Sequence, residues 1–208
     1  MKPLATALLA AFAISPVYAA NTVIDFETVT SFASIAEFYN GGSDSEGNSG
    51  SNFGVSFGGD VLGLANDEYS TFFTNAPSPV GVMTAVGSDA TMNVAAGFVD
   101  ALSFAYSSAA FTLQAVNVWS GLNGTGALLA SFNLAANAQA GGCSDSAFCR
   151  FDTLSSTFAG VAHSVTFGNA AGVAAFDNIA ITAVPEPTAA LMLAMGLAGL
   201  ALKRRMRG

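Results

Sequence analysis

The sequence predicts an all-β protein, an antiparallel β-sandwich, and three observations predict it. Apolar and polar residues alternate with a period of two over much of the chain, as they do in half-buried strands. Clusters of Gly, Asn and Ser interrupt these runs at short intervals, where the connections of a sandwich fall. Between residues 20 and 183 no segment carries a long apolar stripe at helical spacing.

Composition bounds the rest. Of 208 residues 52% are hydrophobic and 10% charged, with 22 Gly, 17 Phe, two Cys and one His. That length suits one domain. The apolar content is enough to offset chain entropy, so the chain is not a disordered one. A formal charge of −8 disfavours nucleic acid, whose phosphates need Lys and Arg. A His-based or thiol-based enzyme has almost no raw material here.

In chain order, the first element is a secretory signal. Lys2 supplies the positive n-region, Leu4–Ile14 an apolar run of 11 residues, and Val17-Tyr18-Ala19 a small-residue exit, so cleavage is expected after Ala19. The run is too short to span a bilayer. Strands are then expected at Val23–Glu27, Phe53–Phe57, Ala101–Tyr106, Phe111–Trp119, Leu128–Leu134, Ser164–Phe167 and Val173–Thr182. Weaker strand signals lie at Val61–Leu64, Val82–Val86, Met92–Ala95 and Phe151–Phe158. One short helix is expected where Ser34-Ile35-Ala36-Glu37 has capping-box spacing and Gly41 could close the end. Gly121-Leu122-Asn123-Gly124-Thr125-Gly126 joins two good strands and reads as a hairpin turn, not as a dinucleotide loop.

Val184-Pro185-Glu186-Pro187 is a stiff breaker, because Pro fixes φ and pushes its predecessor out of the helical region. Residues Thr188–Leu202 are free of charge, and Lys203, Arg204, Arg205 and Arg207 follow. A helix over about 188–202 would be roughly 22 Å long, short of the ~30 Å hydrocarbon core, so spanning needs thinning or snorkelling. The basic residues 203–207 should stay cytoplasmic, which leaves the middle of the chain outside.

Pro185, Glu186 and Pro187, the apolar segment and the basic cluster, in that order, closely resemble the PEP-CTERM sorting signal over residues 184–208. The resemblance implies export in Gram-negative bacteria that make exopolysaccharide. It also implies processing at Pro-Glu-Pro by an exosortase, a membrane Cys protease/transpeptidase, with the inner membrane as at least a transient station. A plain membrane anchor is the alternative. The predicted organisation is thus a signal peptide (1–19), a sandwich domain (20–183) and a sorting signal with a transmembrane helix (184–208). The domain holds 13 of the 14 acidic residues but, of the six basic ones, only Arg150, a net charge of −12. Such acidity gives solubility to a Phe-rich chain or attracts divalent cations.

The body has a likeness of its own. Ile24-Asp25-Phe26-Glu27, Ile35–Gly42, Trp119–Gly126 and Phe176-Asp177-Asn178-Ile179 resemble a group of PEP-CTERM proteins whose domain is a jelly roll akin to carbohydrate-binding modules. That resemblance implies a structural calcium ion bridging the first and last strands, at Asp25, Glu27, Asp177 and Asn178. The ion needs six to eight oxygens. The alternative is that these are polar edge residues. Ile24 and Phe26 should point inward, and the broken phase at Phe176–Ile179 predicts a bulge. The loop Asn40–Asn48 is rich in oxygens but lacks EF-hand register, so it reads as a solvated, flexible loop.

Cys143 and Cys149 enclose five residues, and in an exported chain they are expected to form one disulfide, worth about 2 kcal/mol. His163 has no G-x-S-x-G nucleophile beside it, and no carboxylate pair stands out, so no catalytic residue is assigned. Sugar binding needs aromatic faces next to polar groups. Trp119 and Tyr69 are the leading candidates, beside Tyr39 and Tyr106. Trp119 closes a strand beside the hairpin, which suits either a platform or a core plug.

The expected role is an exported, non-enzymatic component of the surface or extracellular matrix, associated with exopolysaccharide or biofilm. No cofactor is required beyond the candidate calcium. The alternative is a calcium-dependent carbohydrate-binding module.

Overall fold

The computed structural model describes residues 21–143, 145–184 and 196. The expected signal peptide, the expected helix at about 188–202 except residue 196, and the basic tail lie outside these residues. Among the described residues no helix is long and apolar enough to cross a membrane.

Ten strands build the domain: β1 (Asn21–Ile24), β2 (Val55–Phe57), β3 (Val61–Ala65), β4 (Gly81–Ala85), β5 (Thr91–Ser108), β6 (Thr112–Trp119), β7 (Leu128–Leu134), β8 (Asp152–Thr157), β9 (Ala162–Thr166) and β10 (Ala174–Ala183). All their pairings are antiparallel. The 18-residue β5 organises the rest. Near its start it pairs with β2 and β9, and β6 and β7 continue that side. From Phe98 onward it pairs with β10 and β8, and β4, β3 and β1 continue the other side. One hydrogen-bonded path therefore folds into the two layers of a sandwich.

The core between the layers is aromatic. Phe26, Phe38, Phe98, Phe104, Phe167 and Phe176 are all fully buried, and Phe104 and Phe167 meet Phe176 edge-on at 5.8 and 5.0 Å. Such contacts add roughly 0.5–1.5 kcal/mol each beyond the area they bury. A smaller cluster, Leu64, Phe73, Val82 and Ala175 with Phe72, Phe148 and Phe151, packs separately. It explains why β4 is buried at every position and does not alternate.

Most strand expectations hold, and the departures are instructive. Met92–Ala95 and Ala101–Tyr106 fuse into β5, with a register shift between Asn93 and Phe98 taking up the irregularity. β1 stops at Ile24 because Phe26 takes φ +58° and turns the chain. The helix expected at Ser34–Gly41 does not form. The Ser34 hydroxyl donates to the Gly59 carbonyl, 25 residues away, Ile35 N–H donates to Val61 O, and Ala36 takes φ +43°. Long-range partners thus take the groups that a helix cap needs. In their place the segment makes turns and an isolated bridge to Leu62.

Candidate functional site

Two places concentrate the candidate residues. The first lies where β1 and β10 meet. The turn at Phe26 buries its ring and leaves Asp25 exposed and Glu27 half-buried, the expected inward phase for Ile24 and Phe26. Glu27 Oε1 accepts the N–H groups of Val80 (2.7 Å) and Gly81 (3.0 Å). Asp25 Oδ1 accepts only the N–H of Glu27, at 3.3 Å.

On β10 the expected bulge is present. The register shifts between Asp177 and Ala180, and Asn178 takes φ +47°. Asp177, however, is fully buried and is no edge residue. Its Oδ2 accepts Ser78 N–H at 2.8 Å, and its Oδ1 contacts the Ser78 hydroxyl and accepts Asn178 N–H at 2.7 Å. Burial pushes the Asp177 pKa up to about 6; hydrogen bonds from Ser78 and Asn178 oppose the rise, and the Glu27 charge adds to it. Tyr39 is 2% exposed, and its hydroxyl has no hydrogen-bond partner. Burial, then the charge of Asp25, hold that phenol far above its ordinary range, with Asp177 and Glu27 contributing.

The negative charge of Asp25, Glu27 and Asp177 thus converges on one buried phenol. Much of their oxygen capacity is taken by N–H and O–H donors. Among the described residues no group of three or more His, Cys, Asp or Glu is spaced to hold a metal. Ser78 escapes sequence reasoning, because it lies 99 residues from Asp177, and Tyr39, a sugar-binding candidate by sequence, is instead buried beside these acids.

The second place is a cleft of about 290 Å³ lined by Ser88, Asn117, Trp119, Thr166, Gly168 and Asn169. Trp119 is half-buried, so it is neither a core plug nor a free platform. Its indole N–H donates to Thr166 Oγ1 at 3.1 Å, on the β9 residue that pairs with Asn117. Asn117 and Trp119 share a face because they are two apart on β6. The hairpin turn after Trp119 is tied to β9: Gly124 N–H donates to Ser164 Oγ, which donates to Gly121 O.

The remaining candidates are scattered. Tyr69 is 87% exposed in a turn where Asp67 accepts its N–H, and it does not line the cleft. Tyr106 is 3% exposed and Tyr39 is buried, so neither offers a face to a sugar. The loop Asn40–Asn48 is braced from within. Asp44 is 7% exposed and accepts Glu46 N–H, Asn48 N–H and the Thr30 hydroxyl, while most other residues of the loop are exposed, so the loop is solvated as expected but braced by one buried carboxylate. Cys143 and Cys149 form the expected disulfide, with Cα atoms 5.8 Å apart. His163 sits half-buried on β9.

Comparison with known proteins adds the following. Among solved structures, a family 6 carbohydrate-binding module is similar at 14% identity, covering 82% of this chain and 100% of its own, with a TM-score of 0.39. The K2 cleaved adhesin domain of Lys-gingipain is similar at 14% identity, covering 79% and 99%, with a TM-score of 0.45. The CBM22-1–GH10 modules of Clostridium thermocellum endo-1,4-beta-D-xylanase 10B follow at 10% identity, covering 76% and 30%, with a TM-score of 0.35. No curated protein matches the chain. The family comparison is more specific: residues 183–205, starting at the last residue of β10, match the PEP-CTERM protein-sorting motif, so the chain carries that sorting signal directly behind its sandwich domain.

Proposed function

We propose that this protein is an exported, non-enzymatic component of the cell surface or extracellular matrix, processed by an exosortase and associated with exopolysaccharide or biofilm. The observation that carries this reading is the sorting motif at residues 183–205. By the logic of that signal the chain is held in the inner membrane and then released or displayed outside. The domain is consistent with a passive role. Glu27 and Asp177 are bonded to N–H groups, and no acid, base or thiol lines the Trp119 cleft.

Intact-mass analysis of the native protein from membrane and extracellular fractions tests the proposal. The expected species lacks the residues beyond the Pro185-Glu186-Pro187 region and lies outside the cell. An intact C-terminus found only in the inner membrane would overturn it.

A second reading, a calcium-dependent carbohydrate-binding module, has its own support. The uncharged aromatic cleft favours the carbohydrate half. Saturable affinity for a defined glycan separates this reading from a purely structural one.

A further inference from the structure

We infer that the cleft beside Trp119 is the subsite for one neutral sugar ring of a polysaccharide. This deepens the carbohydrate-binding reading and rests on it. The charge pattern is the first argument. The domain carries 13 carboxylates, yet none of the six residues lining the cleft is ionisable. A site without charge recognises neither uronates nor phosphorylated sugars strongly, but it suits a hydroxyl-rich neutral ring. At about 290 Å³ the cleft lies at the lower end of small-molecule sites.

The second argument is the supply of free polar atoms beside an aromatic wall. The Trp119 ring is held in one orientation by its bond to Thr166. Thr166 therefore accepts, and its own hydroxyl proton remains to be donated. Asn169 uses its amide N–H on Gln114 O, which leaves Oδ1 as an acceptor. The Ser88 hydroxyl is exposed and makes no hydrogen bond among the described residues. A fixed ring and three unspent groups provide an apolar face and its polar surround, the pairing that a pyranose requires.

The third argument is the way the backbone is spent on this place. Gln114 takes φ +49° inside β6, where the register shifts between Thr112 and Val116. Left-handed backbone at a non-glycine residue costs about 1–3 kcal/mol and persists only where the surroundings enforce it. Here the turned carbonyl accepts both cleft amides, Asn117 Nδ2 at 2.8 Å and Asn169 Nδ2 at 2.9 Å. Asn133 Oδ1 accepts the Gln114 N–H at 2.8 Å and holds the bulge. At Gly124 a Cβ would lie 2.7 Å from Thr166 Cγ2, so the hairpin leaves room for the Thr166–Trp119 pair. Gln114 and Gly124 are positioning residues, and Trp119, Asn169, Ser88 and Thr166 contact the sugar.

Trp119 is the chain's single Trp, so emission excited selectively from Trp, away from the Tyr absorption, reports on this site. The full chain is titrated with hexasaccharides of glucan, mannan and galactan type and with a uronate oligomer, by fluorescence and in parallel by calorimetry. At least one neutral oligosaccharide should shift the emission saturably. Calorimetric affinity should fall tenfold or more in Asn169→Ala, whose melting temperature should drop only slightly with the loss of one exposed hydrogen bond to Gln114 O, and should be lost in Trp119→Ala. Neutral-glycan affinity unchanged in Asn169→Ala would overturn the assignment of this cleft and leave the carbohydrate-binding reading standing. Stronger binding of the uronate oligomer would overturn the neutral class. No heat with any oligosaccharide would remove the carbohydrate-binding reading and the cleft with it.

Discussion

Ser78 has one hydroxyl proton and two acceptors within reach, the Asp25 carbonyl at 2.7 Å and the Asp177 carboxyl. A protonated Asp177 resolves the competition, since it donates to Ser78 Oγ and frees the Ser78 proton for Asp25 O. This geometry agrees with the rise of the Asp177 pKa from 3.8 to about 6, caused first by burial. Because the folded state holds this proton more tightly than the unfolded chain, its contribution is fully present below pH 4 and is lost as pH rises through about 6. The unfolding free energy should therefore fall between pH 4 and 6.5 by an amount on the order of 2 kcal/mol, and the melting temperature with it. In Asp177→Asn that slope should flatten. The variant should lose more stability at pH 4.5 than at pH 7, because at the lower pH the wild type holds the stabilising Asp177 proton and at the higher pH it has lost most of it. Thermal melts across the range check this, and a wild-type melting temperature that rose over the window would refute it. The site was partly legible at this scale. The alternation Ile24/Phe26 and the broken phase at Asp177 are local patterns, and both appear as expected. The burial of Asp177 and its pairing with Ser78 depend on a tertiary contact that no window of sequence contains.

At the scale of elements, strand existence was legible because each face is set by alternation, whereas strand ends and the short helix were not. β7 runs over Leu128–Leu134 as expected, with its core-facing Phe132 and Leu134 spaced by two. The capping-box spacing at Ser34 and Glu37 was misleading for a physical reason: both side chains found other partners, Gly59 O and Asn40 Nδ2. The cleft was half legible. Asn117 and Trp119 lie on one face by spacing alone, but Thr166 and Asn169 arrive through the β6–β9 pairing. The start of β4 shows how tightly the β1 turn is seated. A Cβ at Gly81 would lie 2.0 Å from the Phe26 carbonyl oxygen, a backbone atom that cannot rotate away. Gly81→Ala should thus force β4 and the Phe26 turn apart and cost about 3 kcal/mol or more, the upper range for overpacking. Glu27→Gln keeps an oxygen acceptor for the Val80 and Gly81 N–H groups and should cost less than ~1 kcal/mol. Urea denaturation of both variants measures the difference. Equal costs would mean that the Glu27 charge, not the close approach at Gly81, holds this junction.

For the whole molecule, the carboxylates serve as backbone acceptors and scarcely as ion-pair partners. Asp60 accepts Asp89 N–H, Asp89 accepts Gly59 N–H, and Asp67 accepts the N–H groups of Tyr69 and Ser70. Among the described residues the one ion pair is Arg150–Asp152, at 2.9 Å and largely exposed, worth ~0–1 kcal/mol. The turns are thereby braced without cations, but the net charge of −12 over residues 20–183 stays uncompensated. Self-repulsion of that size destabilises a compact state, and salt screens it. Raising NaCl from ~10 mM to ~300 mM, over which the Debye length falls from about 30 Å to below 8 Å, should raise the melting temperature of the full chain by several degrees. A fold held by surface ion pairs would respond in the opposite direction, so a falling melting temperature would refute this account. Chloride is the anion to use, because sulfate strengthens burial by exclusion and would raise stability in either case. A parallel series in CaCl2 at matched ionic strength separates screening from binding. Stabilisation beyond the NaCl curve that grows with the logarithm of calcium concentration is the mark of a site specific to the folded state. If Asp25, Glu27 and Asp177 form it, Asp25→Asn should remove the excess and leave the NaCl response nearly intact. Coincident NaCl and CaCl2 curves would mean that the acids act through their summed field and through backbone bonding alone.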